Sequence, residues 1–141
     1  MGYLLQQRAA ALERKRKTAA EAIADALVWL ELPYRIRRRL DDQPGTIAAL
    51  SERIHDLQER LAFHDNWLRI ELPRAHARYV ALVHAVKDAS MKAIQGAWQA
   101  PPLSAPGEMN IGSLGLASVE QQVSEFAEEV RRRLSWWRVW G

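Results

Sequence analysis

The chain has 141 residues, 48% hydrophobic and 26% charged, with a formal net charge of +3. That is the size and balance of one globular domain that buries a core without cross-links. With no cysteine, thiolate metal sites, thiol nucleophiles and disulfides are excluded.

The first predicted element is a helix from about Tyr3 to Leu32. Its apolar positions are Leu5, Ala9, Leu12, Ala19, Ile23, Leu27 and Leu30, in steps of three, four and seven. Around Arg14-Lys15-Arg16-Lys17 the pattern lapses, so the helix is expected to face solvent on all sides there. Pro33 disfavours helical geometry at Leu32 and predicts a break or kink, then a short helix through Leu40 with Pro33 in its first turn. Asp41-Asp42-Gln43-Pro44-Gly45 is a turn by composition.

A second long helix follows, from Pro44 or Thr46 to Leu72. Ile47, Leu50, Ile54, Leu57, Leu61, His64 and Leu68 alternate three- and four-residue steps, the heptad-like period that seats one helix on another, as in a coiled coil. His64 is expected to be a polar core residue that sets register. Pro73 predicts a break or kink. A third helix runs from about Arg74 to Gln99, with Ala75, Tyr79, Leu82, Val86, Ala89 and Ala93 on one face and Val80, Val83, Ile94 and Trp98 beside it. So wide an apolar arc predicts a central position.

Residues 100–117 hold three prolines and three glycines and one charge. They read as a long loop, or as a strap that lays Met109, Ile111, Leu114 and Leu116 in a groove. Ser118 and Gln121 have capping-box spacing, and the last helix should run from there to about Trp137 on Val119, Val123, Phe126, Val130, Leu134 and Trp137. The expected fold class is therefore all-α: an antiparallel helical bundle of three to four helices with Pro-induced bends and a C-terminal amphipathic helix on a long loop. The organisation is 1–99 bundle core, 100–117 loop or strap, and 118–141 amphipathic helix with a Trp/Arg-rich tail.

Charge is unevenly spread. Residues 1–40 hold nine basic and four acidic side chains. Two clusters, Arg14, Lys15, Arg16, Lys17 and Arg35, Arg37, Arg38, Arg39, are candidate nucleic-acid contacts, because clustered Lys and Arg attract phosphate without reading sequence. At the other end, Arg131, Arg132, Arg133, Trp136, Trp137, Arg138 and Trp140 combine the residue types of interaction hot spots. They are the candidate partner-binding residues.

Chemistry is sparse. Glu52 and His55 have the Glu-x-x-His spacing of di-iron bundles, but no second such pair exists, so no metal or cofactor is expected. Arg78 and His84 fit the Arg, four to six residues, His pattern and on those two residues alone the chain resembles HEPN-type ribonucleases, small all-helical proteins. That resemblance implies a phosphodiester-cleaving site shared between two subunits. The chain departs from the pattern at Tyr79, where a polar residue often follows the Arg, and at Val86, where a Tyr often follows the His.

No catalytic residue is assigned, and no small-molecule substrate is evident. The function expected first is a non-enzymatic helical interaction module that self-associates or docks on a larger complex through the heptad-like strip and the Trp-rich C-terminus. Its partner is a protein or a second copy, and a homo-oligomer is compatible. The second expectation is a small helical nucleic-acid-binding subunit of a phage, mobile-element or defence complex, and the third is the ribonuclease. A membrane surface is the least favoured partner. No run of apolar residues has the length of a membrane span and no leader pattern opens the sequence, so the expected location is cytoplasmic.

Overall fold

Every regular element among the described residues is helical. The computed structural model describes residues 2–103 and 114–139, with the side chains of the last helix described to Ser135. In chain order the elements are α1 (Gly2–Val28), a single 3-10 turn (Trp29–Glu31), α2 (Leu32–Arg37), α3 (Pro44–Glu71), α4 (Pro73–Gln99) and α5 (Leu116–Val139). Among the described residues this is an all-α bundle of four long helices and one short one.

The break around Pro33 is gentler than the sequence suggests. The helical course tightens through the 3-10 turn and restarts as α2, with Pro33 in the first turn where its missing N–H costs nothing. It stops at Arg37, short of Leu40. Between α2 and α3 the backbone N–H of Gln43 donates to Asp41 Oδ1 at 3.0 Å. The Thr46 hydroxyl and that amide hold the Asp41 carboxyl below the usual carboxylate range. Pro44 then opens α3.

Pro73 does more than bend a helix. It is the first residue of α4, and Leu72 alone connects α3 to α4, with φ −140° and ψ 67°. The chain reverses there. Asp65 and His76 face each other across the connection at 2.8 Å, so α3 and α4 form a tight hairpin. On α1, Lys15 lies 3.6 Å from Glu71 and Asp25 lies 2.7 Å from His64, which sets α1 antiparallel to α3. α4 touches every other helix, as its wide apolar arc predicts.

The strip on α3 divides into two halves. Leu57, Leu61, His64 and Leu68 are buried, whereas Ile47, Leu50 and Ile54 are half-buried. The lower half is closed by helices of the same chain. Each buried Leu there contributes about 1.5–3 kcal/mol. His64 is a polar core residue, as expected at its strip position: Asp25 binds Nε2, Tyr79 packs edge-on with ring centroids 6.4 Å apart, and Nδ1 is buried with no partner among the described residues.

α1 departs most from its predicted face. Its buried residues are Leu12, Ala19, Ala22 and Ala26, and Leu5 and Ala9 are exposed. Small side chains at 22 and 26 let α1 approach α4 closely enough for the Tyr79 hydroxyl to donate to the Ala22 carbonyl at 3.0 Å. Nor does α1 face solvent on all sides at its basic run, because Lys15 is half-buried on Glu71. On α4, Ser90 takes a core position that Ala89 was expected to hold. Its hydroxyl donates to the Val86 carbonyl at 2.8 Å, so burial leaves it satisfied. α5 begins at Leu116, two residues before the predicted Ser118 cap, and buries Val119, Phe126, Val130 and Leu134. Met109 and Ile111 of the strap lie outside the described residues.

Candidate interaction face

The fold puts the two candidate nucleic-acid clusters at opposite ends of the bundle. Lys17 and Val28 are separated by about 16 Å of helix at 1.5 Å per residue, and the 3-10 turn and α2 add to that. One duplex-binding strip does not join them along α1.

The cluster on α2 is largely committed to the fold. Arg39 is 5% exposed, and its guanidinium donates to the carbonyls of Ile36 (2.9 Å), Ala97 (2.9 Å), Trp98 (3.5 Å) and Ala100 (2.6 Å) and to Asp42 Oδ1 (2.5 Å). It also lies over the Trp98 ring at 5.5 Å. A cation on the last carbonyls of α4 answers both their unpaired lone pairs and the negative end of the helix dipole. Arg37 donates to the Pro101 carbonyl, and Arg35 pairs with Glu31 at 3.3 Å. Arg38 is exposed. Sequence reasoning placed Arg39 with the phosphate binders. Its local partners, Ile36 and Asp42, do not mark that role, because the carbonyls it closes on α4 lie about sixty positions along the chain.

The cluster on α1 is different. Arg14, Arg16 and Lys17 are exposed, and residues 8–17 hold five basic side chains against one acidic. Across from it run the basic residues of α5. A shallow groove of about 300 Å³ separates the two helices, lined by Arg16, Ala20 and Ile23 on one side and Ala127, Arg131 and Leu134 on the other. The structure thus joins one candidate nucleic-acid cluster to the candidate partner-binding cluster, which the sequence left apart. Each Arg has a local partner: Arg16 with Glu13 (3.7 Å), Arg131 with Glu128 (3.2 Å), and Arg132 and Arg133 with Glu129 (3.0 and 3.1 Å). The exposed pairs of Arg16 and Arg131 hold their members weakly, whereas Glu129 is half-buried. The side chains of Trp136, Trp137, Arg138 and Trp140 lie outside the described residues.

Beyond this groove the first turns of α1 are exposed. Lys15 reaches the last residue of α3, so earlier residues lie past the end of the hairpin. All residues from Gly2 to Ala10 are exposed, a projection of roughly 14 Å. Tyr3, Leu4 and Leu5 are 70%, 71% and 57% exposed. Leu5, Leu12, Ala19 and Ala26 are spaced by seven, so Leu5 continues the buried strip of α1 onto a surface.

The remaining candidates are placed as follows within the single chain. Arg78 pairs with Glu125 of α5 at 3.1 Å, and His84 is exposed six residues on, about 240° around α4 and 9 Å along it. His55 is exposed and pairs with Glu59 at 3.1 Å. Among the described residues no three metal-ligating side chains come together, and no helix is long and apolar enough to cross a membrane. A groove of about 750 Å³ follows Ala85, Ala89, Ala93 and Gly96 of α4 to Leu114 and Gly115. No protein-family model, curated protein or solved structure matches the chain, so the functional reading rests on its own residues.

Proposed function

We propose that this protein is a non-enzymatic interaction module that docks on a larger complex through the pole where the N-terminal half of α1 lies beside the C-terminal half of α5. The observation that carries this reading is the exposed start of α1, whose Leu4 and Leu5 are in solvent while Leu12 and Ala19 on the same helix are core. Exposed large apolar side chains beside Arg are what a protein interface uses as anchors. The α3 strip plays a smaller part than its periodicity suggests, because Leu57, Leu61 and Leu68 already fill the core of one chain. The Trp-rich residues 136–140 belong to this reading by sequence.

The test is affinity capture from nuclease-treated extract with wild-type protein and with Leu4→Asp, Leu5→Asp. The reading expects one defined protein to be retained by the wild type and lost with the variant, at unchanged helicity. Equal capture by both removes α1 from the interface.

A second reading, a helical subunit of a nucleic-acid-handling phage, mobile-element or defence complex, is favoured by the basic excess at residues 8–17. Its test is retention on single-stranded DNA at rising salt, with Arg14, Arg16 and Lys17 changed to Glu. Arg39 is left unchanged, since its loss would act through the fold. Retention that ignores salt removes this reading.

A further inference from the structure

We propose that the groove between α1 and α5 receives an acidic amphipathic helix from a partner protein. This rests on the interaction-module reading and names the partner's chemistry.

Shape comes first. The floor is apolar: Ala19, Phe126, Val130 and Leu134 are buried beneath it, and Ile23 and Ala127 are half-buried at its surface. The walls carry alanines, Ala20 and Ala127, where longer side chains would fill the space. A concave strip between two helices suits a third helix laid along it, whose i, i+3, i+4, i+7 side chains fill the floor. Nucleic acid gains nothing from an apolar floor, and a flat bilayer surface does not follow a concave one.

Charge selects the sign. Arg16 stands on one rim and Arg131 on the other. Their present partners, Glu13 and Glu128, are one helical turn away on the same helix and exposed, so exchange for a partner's carboxylates costs little. Residues 8–17 add an excess of positive charge on the α1 side. A second copy of this chain would bring the same basic pole and be repelled, whereas an acidic helix is attracted and guided.

The experiment uses the full chain and synthetic peptides of ~20 residues, enough to span the groove at 1.5 Å per residue. One has Leu at helical spacing and Glu elsewhere, the second has Lys in place of Glu, and the third scrambles the first. Titration calorimetry should show binding of the Glu helix alone. That binding should weaken with salt and fall roughly tenfold or more in Arg16→Glu with Arg131→Glu. Ala127→Trp, which fills the groove and leaves charge unchanged, should also abolish it, with circular dichroism verifying the fold. Equal binding of the Lys or scrambled peptide, full binding by the charge-reversed protein, or no binding of the Glu helix overturns the proposal. If the Glu helix is ignored but Leu4→Asp, Leu5→Asp still removes a captured protein, the groove proposal falls and the module reading stands. If both fail, both fall.

Discussion

The two ends of the bundle solve opposite problems. At the end where α2 meets the C-terminus of α4, the last carbonyls of a helix are turned inward, and one buried Arg39 satisfies them. The 3-10 turn adds Trp29, over whose ring the Lys87 ammonium lies at 4.9 Å. At the other end residues 2–10 of α1 are all exposed, Leu4 and Leu5 among them. Basic residues mark both ends. At one, Arg37 and Arg39 are structural, their donors occupied by backbone, while Arg38 is exposed; at the other, Arg16 and Arg131 ride on exposed helix faces with weak local partners. Basic composition therefore says little about function until the acceptors already in place are known.

This contrast breaks first at Arg39. Arg39→Ala leaves several buried carbonyls without donors and should cost on the order of 3–5 kcal/mol, a large part of a domain's stability. Urea unfolding measures it, and Arg39→Lys should rescue only in part, since one ammonium does not reach what a planar fork reaches. A loss below 1 kcal/mol would mean that water serves those carbonyls equally well.

Leu57→Ala, in the buried half of the α3 strip, should cost about 2–5 kcal/mol. Leu50→Ala, in the half-buried half, should cost clearly less by the same measurement. Equal losses would show that the upper strip is also core.

Tyr79→Phe removes the hydrogen bond to Ala22 and should cost about 1 kcal/mol near neutral pH. Burial, then Asp25 and Asp65, push the Tyr79 hydroxyl well above its ordinary value of 10.0. Its contribution is therefore complete below pH 10 and is lost as the pH rises further, because the unfolded phenol ionises first. The wild type should lose stability above pH 10 more steeply than Tyr79→Phe. Parallel alkaline profiles would contradict that environment.

His64→Leu sharpens the comparison between buried polar groups. Among the described residues His64 has one hydrogen-bond partner and a buried Nδ1 with none, and Asp25 has Arg60 at 3.4 Å besides the imidazole. Stability should change by less than about 1 kcal/mol, in either direction. The smallest effect belongs to Leu4→Asp with Leu5→Asp, within about 0.5 kcal/mol, because exposed residues hold nothing in the isolated chain.

The α3 strip was legible because period is a local property, and seven positions in step leave one geometry. Pro44 and Pro73 were legible as boundaries for the same reason: proline acts on its own residue and the one before it. Ala22 and Ala26 were not, since burying alanine depends on how closely another helix approaches. Arg39 was not, because its carbonyl partners at 97, 98 and 100 come from another helix. The α1–α5 groove was legible only as two separate basic clusters. The signal that joins them is the seven-residue spacing from Leu5 to Ala26, which carries the apolar strip of α1 through its charged run.

On this account the α3 strip closes within one chain and the α1–α5 pole stays open. Hydrogen exchange read by mass spectrometry over a range of protein concentrations tests it most directly. Residues 57–68, 79–86 and 126–134 should exchange slowly and residues 2–10 fast, with neither pattern depending on concentration. Protection of residues 47–54 that grows with concentration would contradict it, since the strip would then be the face by which copies join.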